Sequence, residues 1–501
     1  MTVLTWVAEK RGFRADLIAL AAGAVSALAL PPFHVLPVLP LTFLILLTRM
    51  GVCARPLAAL RLGWWFGFGL HLIGLYWITE AILIEAARFW WFVPIAVPAL
   101  AAILSVFVAG AVWLAWFAAA GWPRVLALAG GWVLMDLARQ FVATGFPWNP
   151  MGSVWAVPGL TGDIMSQPAA LASVHGLTLA TILLACVLAL PRLGRMLCAA
   201  GLAAWIGFGA ARAFGPDPPD QKIRIVLVQG NVPQGQKWDQ ALLVDIFERY
   251  LRLTHDAITP FLGQTVVVWP ETASPFQLET DATARAAIAQ AGGGAMVLTG
   301  SVRFDTQGRP RNTLFAIGPD SRITTLYDKW HLVPFGEYQP DWLPLGIQIV
   351  PGGGFAMGPG PRTLHMAGLP PVGPLICYEA IFPGQVVDRA DRPDWMVNVT
   401  NDAWFGTSTG PRQHLAAARL RAIEEGLPLL RAANTGITSA FDSKGHEITR
   451  LEMEQTGVRT VTLPGPLPPT LFARFGLIIP GILAFSTLVF GWAGSRIVKR
   501  L

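Results

Sequence analysis

The sequence predicts an α-helical membrane domain joined to a separate domain of α/β or α+β type. Only 14% of its 501 residues are charged and 53% are hydrophobic, whereas a soluble globular protein carries about 25% charged residues. Long uncharged runs alternate with short charged breaks up to about residue 213, and another apolar run lies near the C-terminus. Between about 216 and 465 charges are frequent, and strand-like segments alternate with helical ones. This composition excludes a disordered or fibrous protein and an ordinary cytosolic enzyme.

Eight apolar runs are candidates for membrane spans, since a bilayer span requires about 20 apolar residues. They lie at about 12–30, 35–50, 57–79, 91–119, 121–140, 168–190, 195–213 and 471–494. We therefore expect about seven transmembrane helices in residues 1–215, an extramembrane domain in 216–465, and a C-terminal transmembrane helix with a tail in 466–501. Pro-rich segments at 214–220 and 464–469 bracket the extramembrane domain.

The basic residues of the membrane part predict its orientation, because short cytoplasmic loops are enriched in Lys and Arg. Alternate breaks between the runs carry Lys10, Arg11 and Arg14; Arg49, Arg55 and Arg61; Arg124; Arg192 and Arg195; and Arg496, Lys499 and Arg500. Eight spans then place both termini in the cytoplasm and residues 216–465 on the opposite side of the membrane. For a bacterial inner membrane, that side is the periplasm. The net charge of +6 is mainly a topology signal, which argues against nucleic acid as a partner.

The extramembrane segment contains several recognisable strands. Alternating or continuous apolar residues predict strands at 222–229, 295–302 and 395–401, a strand followed by a turn over 265–271, and a hairpin that turns at 318–321. An amphipathic helix is predicted for 239–259.

Three short motifs carry the chemistry of this domain. VVVWPETASP places Glu271 after a strand, YDKWHLVPFGEYQP contains Lys329 with Glu337 eight residues later, and PLICYEAIFP contains Cys377, the only cysteine between 216 and 465. Alone, each has an ordinary explanation: a solvated turn glutamate, a surface lysine beside Asp328, a core cysteine. Together they supply a base, a cation and a nucleophile, the minimum for acyl transfer through a thioester.

Glu271, Lys329 and Cys377 supply these roles without a histidine. A thiol is mostly protonated at neutral pH and requires a base or cation to react, and Glu271 and Lys329 provide both. The histidines of the domain are scattered along the sequence, and neither H-x-x-H nor C-x-x-C spacing occurs. A zinc site is therefore not expected.

The order of WPE, DKWHLVPFGEY and CYE resembles the carbon–nitrogen hydrolase (nitrilase) superfamily, and the flanking spans narrow the resemblance to its apolipoprotein N-acyltransferase family. The resemblance covers nearly the whole chain. Further segments that agree are QGNVPQGQKW, RNTLF, NVTNDAWFG, RAANTG, GLYWI and TGFPWNPMG. One departure is Leu427, where the family often has arginine. The resemblance implies an α-β-β-α sandwich for the extramembrane domain.

The resemblance also implies a mechanism. Cys377 is expected to attack an acyl ester of a phospholipid such as phosphatidylethanolamine, with Glu271 as general base and Lys329 stabilising the oxyanion. The α-amino group of the diacylglyceryl-cysteine at the N-terminus of an apolipoprotein then attacks the thioester. This ping-pong reaction requires no metal, nucleotide or coenzyme A, and the family implies a monomer.

Supporting roles follow from the same resemblance. Glu337 is expected to orient Lys329 or the substrate amine, while Tyr378 and Glu379 shape the pocket beside the nucleophile. Trp238 resembles a tryptophan at the mouth of the family's site.

Two further segments are predicted to contact lipid. Segment 341–357 suits a lid because it combines Trp342, Ile347 and Ile349 with three glycines, and the alternative is an ordinary packed loop. Replacing Ile347 and Ile349 with Asp is expected to lower turnover on vesicles. Trp148 belongs either to an aromatic belt or to a lipid entrance.

Two other functions remain open on the sequence alone. A membrane-tethered amidase would use the same thioester with water as the acceptor, although the many spans and the apolar lid argue against it. A scaffold protein with an inactive nitrilase-like domain is disfavoured because Glu271, Lys329 and Cys377 are all present.

Overall fold

The chain divides into two compact units. The structure is a computed structural model and describes residues 3–84, 86–237, 239–258, 263–339 and 354–498. One unit combines residues 1–215 with 474–501, and the other comprises 216–473.

The first unit is helical. Its helices are α1 (Val3–Glu9), α2 (Gly12–Ser26), α3 (Val38–Gly51), α4 (Pro56–Gly74), α5 (Ile78–Leu83), α6 (Ala86–Phe89), α7 (Val93–Trp116), α8 (Trp122–Phe141), α9 (Leu160–Met165), α10 (Ala169–Ala185), α11 (Arg192–Ala213) and, after the second unit, α16 (Ile478–Val498).

Five helical segments among the described residues are long and apolar enough to cross a membrane. They are Gly12–Ala29, Pro56–Gly74, Trp90–Trp116, Arg192–Ala213 and Ile478–Ile497. The predicted polytopic membrane domain is thereby confirmed. The predicted number of eight spans stays a prediction, because α3 and α10 are shorter than 18 residues and α8 contains three charged side chains.

Close helix packing in this unit depends on small residues. A Cβ atom added at Gly23 of α2 would overlap the carbonyl oxygen of Phe66, and one added at Gly69 of α4 would overlap that of Leu20. Glycine at these two positions lets the backbones of α2 and α4 approach each other, as is common between membrane helices.

Polar and aromatic side chains also lie inside the helical unit. Asp136 and Arg139 form a buried ion pair of 3.1 Å within α8. Trp148 is only 3% exposed and packs against Trp77 and Phe146, with ring centroids 4.6 and 6.1 Å away. The suggested role of Trp148 in lipid binding stays a prediction.

The second unit contains eleven strands among its described residues. They are β1 (Ile223–Gln229), β2 (Gln264–Val268), β3 (Met296–Phe304), β4 (Pro310–Ile317), β5 (Ile323–Asp328), β6 (Val372–Ile376), β7 (Trp395–Thr400), β8 (Leu429–Ala433), β9 (Thr438–Phe441), β10 (Glu447–Leu451) and β11 (Gly457–Thr462). Its helices are α12 (Leu243–Ala257), α13 (Ala282–Gly292) and α14 (Gly410–Glu425), and α15 (Leu471–Phe475) contains the second boundary between the units.

The strands form two sheets, in the orders β11-β1-β2-β3-β4-β5 and β10-β9-β8-β7-β6. In the first sheet the central strands β1, β2 and β3 run parallel to one another. In the second sheet β8, β7 and the edge strand β6 are parallel. The remaining pairs are antiparallel. Each sheet therefore gathers the carboxyl ends of three parallel strands at one edge.

The two sheets pack face to face between helices. In β1, Ile225 and Leu227 enter an apolar cluster that contains residues of both sheets. Val226 and Val228 point to the opposite face, where they pack with residues of α12 and α13, because successive side chains of a strand alternate between faces. Helix α14 covers the outer face of the second sheet. The predicted α-β-β-α sandwich is therefore confirmed.

The observed elements differ from the predicted ones mainly at their ends. The helix predicted for 239–259 is Leu243–Ala257, and the strand predicted at the start of 265–271 is Gln264–Val268. Leu427, the departure from the family pattern, is fully buried in the apolar cluster under α14, so a leucine is well accommodated there.

Candidate active site

The predicted reactive residues lie at strand ends of the sandwich. Glu271 follows β2, Lys329 directly follows β5, and Cys377 directly follows β6. All three side chains are buried, with exposed fractions of 6%, 1% and 5%. The carboxyl ends of parallel strands are where α/β folds gather catalytic groups, and this edge holds the residues that the motifs predicted.

Glu271 is fixed by donors from both sheets. Its Oε1 accepts hydrogen bonds from Nδ2 of Asn312 (2.7 Å) and Nζ of Lys329 (3.3 Å). Its Oε2 accepts one from the backbone amide of Asn401 (2.9 Å), which follows β7. The carboxylate therefore has a single orientation, which a general base requires.

Lys329 lies between two carboxylates. Its Nζ is 3.3 Å from Oε1 of Glu271 and 2.9 Å from Oε1 of Glu337. Nδ2 of Asn312 donates to the same two oxygens, at 2.7 and 3.1 Å. The backbone amide of Val333 donates to Oε2 of Glu337 (2.8 Å). Glu337 therefore contacts Lys329 directly. Its role in orienting Lys329 or the substrate amine stays a prediction.

The charges of this cluster determine its protonation. Burial raises the pKa of Glu271, but the charges of Lys329 and Lys237 outweigh this and leave the pKa below its usual value. Burial lowers the pKa of Lys329, but Glu271 and Glu337 raise it well above its usual value. At neutral pH the cluster therefore contains an ionised carboxylate beside an ammonium group.

The Cys377 thiol is protonated in this environment. Burial and the charge of Glu271 raise the pKa of the thiol far above its usual range, and the charge of Lys329 offsets this only in part. A buried neutral thiol becomes a nucleophile only when a base takes its proton during the attack. The ionised Glu271 is suited to that task.

Glu379 connects the nucleophile turn to the loop after Lys329. Its Oε2 accepts from the backbone amide of Ile376 (2.6 Å), and its Oε1 accepts from the hydroxyl of Tyr327 (2.9 Å) and the amide of Trp330 (2.8 Å). Burial raises the pKa of Glu379 to about 7, although these donors favour the ionised form. Tyr378 is buried and packs edge-on against Phe382.

Two residues of the site were missed by the sequence analysis. Asn312 lies in the motif RNTLF, and Lys237 lies in QGQKW beside the predicted Trp238. Lys237 is buried, and its Nζ donates to the backbone carbonyl of Glu271 (3.0 Å). Both motifs agree with the family pattern. However, neither an asparagine amide nor a second lysine indicates a particular reaction by its residue type alone.

His414 is a third residue that the sequence analysis missed. It is far from Cys377 in the sequence, but the fold brings the two together. Donor atoms of Cys377, Asp402 and His414 lie within 4.8 Å of one another, a grouping of metal-ligand types. These groups are already engaged: Asp402 pairs with Arg431 (2.6 Å), and Nε2 of His414 bonds to the carbonyl of Cys377 (2.9 Å). Cys377, Asp402 and His414 therefore belong to a hydrogen-bond network.

Four of the predicted site residues belong to segments at 238 and 340–353. Trp238, Trp342, Ile347 and Ile349 lie outside the described residues. Their roles at the mouth of the site and in a lid stay predictions.

Comparison with known proteins identifies the class of this domain. Residues 224–465 match the family model of the carbon-nitrogen hydrolases. Among solved structures the chain is similar to an amidase of the nitrilase superfamily from Nesterenkonia AN1, with 18% identity, a TM-score of 0.36, and coverage of 50% of this chain and 94% of that chain. The match to the family model identifies the second unit as a carbon–nitrogen hydrolase domain.

Matches to the N-terminal part and to nearly the full length of the chain define the family more narrowly. Residues 22–187 match the model of the apolipoprotein N-acyltransferase N-terminal domain. The chain is 37% identical to the apolipoprotein N-acyltransferase of Rhodopseudomonas palustris, over 96% of this chain and 94% of the relative. It is 38% identical to the apolipoprotein N-acyltransferase of Bradyrhizobium diazoefficiens, over 99% of this chain and 97% of the relative. The chain belongs to the apolipoprotein N-acyltransferase family.

Proposed function

We propose that this membrane protein transfers an acyl chain from a phospholipid to the α-amino group of the diacylglyceryl-cysteine at the N-terminus of apolipoproteins, through a thioester on Cys377. The observation that carries the proposal is the buried cluster at the strand ends, in which Glu271 lies 3.3 Å from Lys329 and Cys377 follows β6. Family membership and the membrane helices of the first unit support a lipid donor and a lipoprotein acceptor.

In the first half-reaction, Sγ of Cys377 attacks the carbonyl carbon of the phospholipid ester while Glu271 takes the thiol proton. The oxyanion of the tetrahedral intermediate is stabilised by the ammonium of Lys329, which Glu337 and Glu271 hold in a fixed position. The C–O bond then breaks, Glu271 returns the proton to the leaving oxygen, and the lysophospholipid departs.

In the second half-reaction, the neutral α-amine of the diacylglyceryl-cysteine attacks the thioester carbon. Glu271 takes a proton from the attacking nitrogen, the C–N bond forms, and the C–S bond breaks. The proton returns to Sγ of Cys377, which regenerates the resting site.

The membrane setting explains why a cysteine chemistry suited to amides serves lipid substrates. Each buried methylene is worth about 0.8 kcal/mol, so neither the donor nor the acceptor leaves the bilayer readily. We propose the orientation that the basic loops predict, with the second unit in the periplasm and both termini in the cytoplasm, and a monomer as the working form. Segment 341–357 would keep water from the thioester.

The proposal is tested by incubating the purified protein with phosphatidylethanolamine that carries a labelled acyl chain. We expect a covalent label on Cys377 that a diacylglyceryl-cysteine peptide discharges into the amide product. Cys377→Ser is the control: it should fold normally, judged by its melting temperature, and take up no label. Absence of label on the wild type, or discharge by water alone, would refute the proposal, and the second result would favour the membrane-tethered amidase.

A further inference from the structure

We propose that His414 is a positioning residue that holds the backbone of Cys377 in the conformation from which its thiol reacts. The role of Cys377 as nucleophile rests on the function proposed above. The observation is the hydrogen bond of 2.9 Å between Nε2 of His414 and the carbonyl oxygen of Cys377. Because a carbonyl oxygen only accepts, Nε2 carries the hydrogen.

Cys377 needs such support because its backbone is strained. Its φ of 49° lies in the left-handed region, which residues with a Cβ atom adopt only where the surroundings enforce it. On the N-terminal side, the amide of Ile376 is bonded to Glu379 (2.6 Å). On the C-terminal side, the bond from His414 fixes the carbonyl of Cys377 itself. The two bonds together determine the turn that aims Sγ.

His414 is itself held by a buried network. Its Nδ1 lies 3.0 Å from Oδ1 of Asp402, whose Oδ2 accepts from Nη2 of Arg431 (2.6 Å). Thr400 donates to the same carboxylate (2.9 Å). His414, Asp402 and Arg431 are fully buried and lie on α14, after β7 and on β8. The imidazole is therefore fixed by the second sheet.

This geometry distinguishes His414 from a general base. Its Nε2 bonds to the backbone carbonyl of Cys377, and its Nδ1 faces the carboxylate of Asp402. The proton of the thiol has another acceptor in Glu271. The imidazole acts through the backbone of the nucleophile turn.

Two variants separate this role from general stabilisation. In His414→Gln the side-chain amide nitrogen reaches the position of Nε2 and keeps a donor for the carbonyl. In His414→Asn the shorter amide reaches only the position of Nδ1. The exposed His365 provides the control His365→Asn. For each purified full-length protein we would measure the rate of Cys377 alkylation by iodoacetamide, the rate of acylation by phosphatidylethanolamine, and the melting temperature.

We expect both rates of His414→Asn to fall about 10- to 100-fold, since a displacement of about 1 Å costs a reaction about that factor. His414→Gln should stay within about fivefold of the wild type, and His365→Asn should match it. Wild-type rates in His414→Asn, or equal losses in both His414 variants at unchanged melting temperatures, would overturn the proposal. If His414→Asn does not fold, His414→Gln decides: retained rates support the proposal, and a tenfold loss at an unchanged melting temperature overturns it.

The alkylation rate also separates this inference from the proposed function. A wild type that is alkylated at Cys377 but never acylated by phospholipid would contradict the transfer reaction. The comparison of alkylation rates between the His414 variants would still test the positioning role.

Discussion

The backbone amide of Asn401 donates a hydrogen bond of 2.9 Å to Oε2 of Glu271, across 130 residues of sequence. Glu271 follows β2 of the first sheet, and Asn401 follows β7 of the second. The bond therefore joins the two sheets at the carboxyl ends of their parallel strands, and it does so through the residue proposed as the general base. Because its donor is a backbone group, its strength depends on how the sheets pack rather than on the identity of a side chain.

Asn312 is expected to matter for both glutamates. Asn312→Ala removes the amide that donates to Glu271 and Glu337, which leaves the buried carboxylate of Glu271 and the partly buried one of Glu337 short of a donor. We expect a loss of about 1–3 kcal/mol in the free energy of unfolding and slower acylation of Cys377, measured by thermal unfolding and by label uptake. Gln307→Ala, at an exposed turn, is the control and should change neither; an Asn312→Ala protein with wild-type acylation would contradict the expectation.

Lys237 is expected to set the lower pH limit of activity. Burial lowers the pKa of Lys237 to about 8, although Glu271 and Cys377 oppose this, so the side chain is largely an ammonium at neutral pH. Its charge in turn lowers the pKa of Glu271.

Lys237→Met removes this charge, so the pKa of Glu271 rises and a higher pH is needed to ionise the base. The acid limb of the pH profile for Cys377 acylation should therefore move to higher pH. Lys237→Arg keeps the charge and should move the limb less. An acid limb that Lys237→Met leaves in place would show that this lysine does not tune Glu271.

Glu379 is expected to be a structural clamp with a kinetic consequence. Glu379→Gln replaces one accepting oxygen with an amide group that cannot accept the bonds now made by Ile376 or by Tyr327 and Trp330. We expect a loss of about 1–3 kcal/mol in the free energy of unfolding and slower alkylation of Cys377 by iodoacetamide. Glu248→Gln breaks only an exposed ion pair of 3.5 Å and should cost less than about 1 kcal/mol; equal costs for the two variants would refute the clamp.

The helical unit offers an independent prediction. Arg139→Gln leaves the buried Asp136 without its partner at 3.1 Å, and breaking a buried pair costs about 3–5 kcal/mol. We expect a clear drop in the melting temperature of the detergent-solubilised protein, partly restored by the double variant Asp136→Asn/Arg139→Gln. Arg195→Gln, at an exposed position of α11, should leave the melting temperature unchanged. A melting temperature unaffected by Arg139→Gln would mean that the pair contributes little.

The sequence by itself determined the division into an apolar helical part and a more polar α/β part, because a bilayer and a sandwich core impose different patterns on the chain. It also identified Glu271, Lys329, Glu337 and Cys377, since these residue types carry recognisable reactivity at motif positions. The α-β-β-α arrangement came from the resemblance of those motifs to a known family, whereas helix and strand ends were placed only to within a few residues.

Only the tertiary structure decided how the site is held. Asn401 contributes a backbone amide, Lys237 a bond to a backbone carbonyl, and His414 a bond to the backbone of Cys377. A hydrogen bond made by the main chain does not depend on the side chain of that residue, so the residue type does not reveal it. The packing of the two sheets and of α14 brings groups 37 and 130 residues apart within hydrogen-bond distance, which local sequence patterns do not encode.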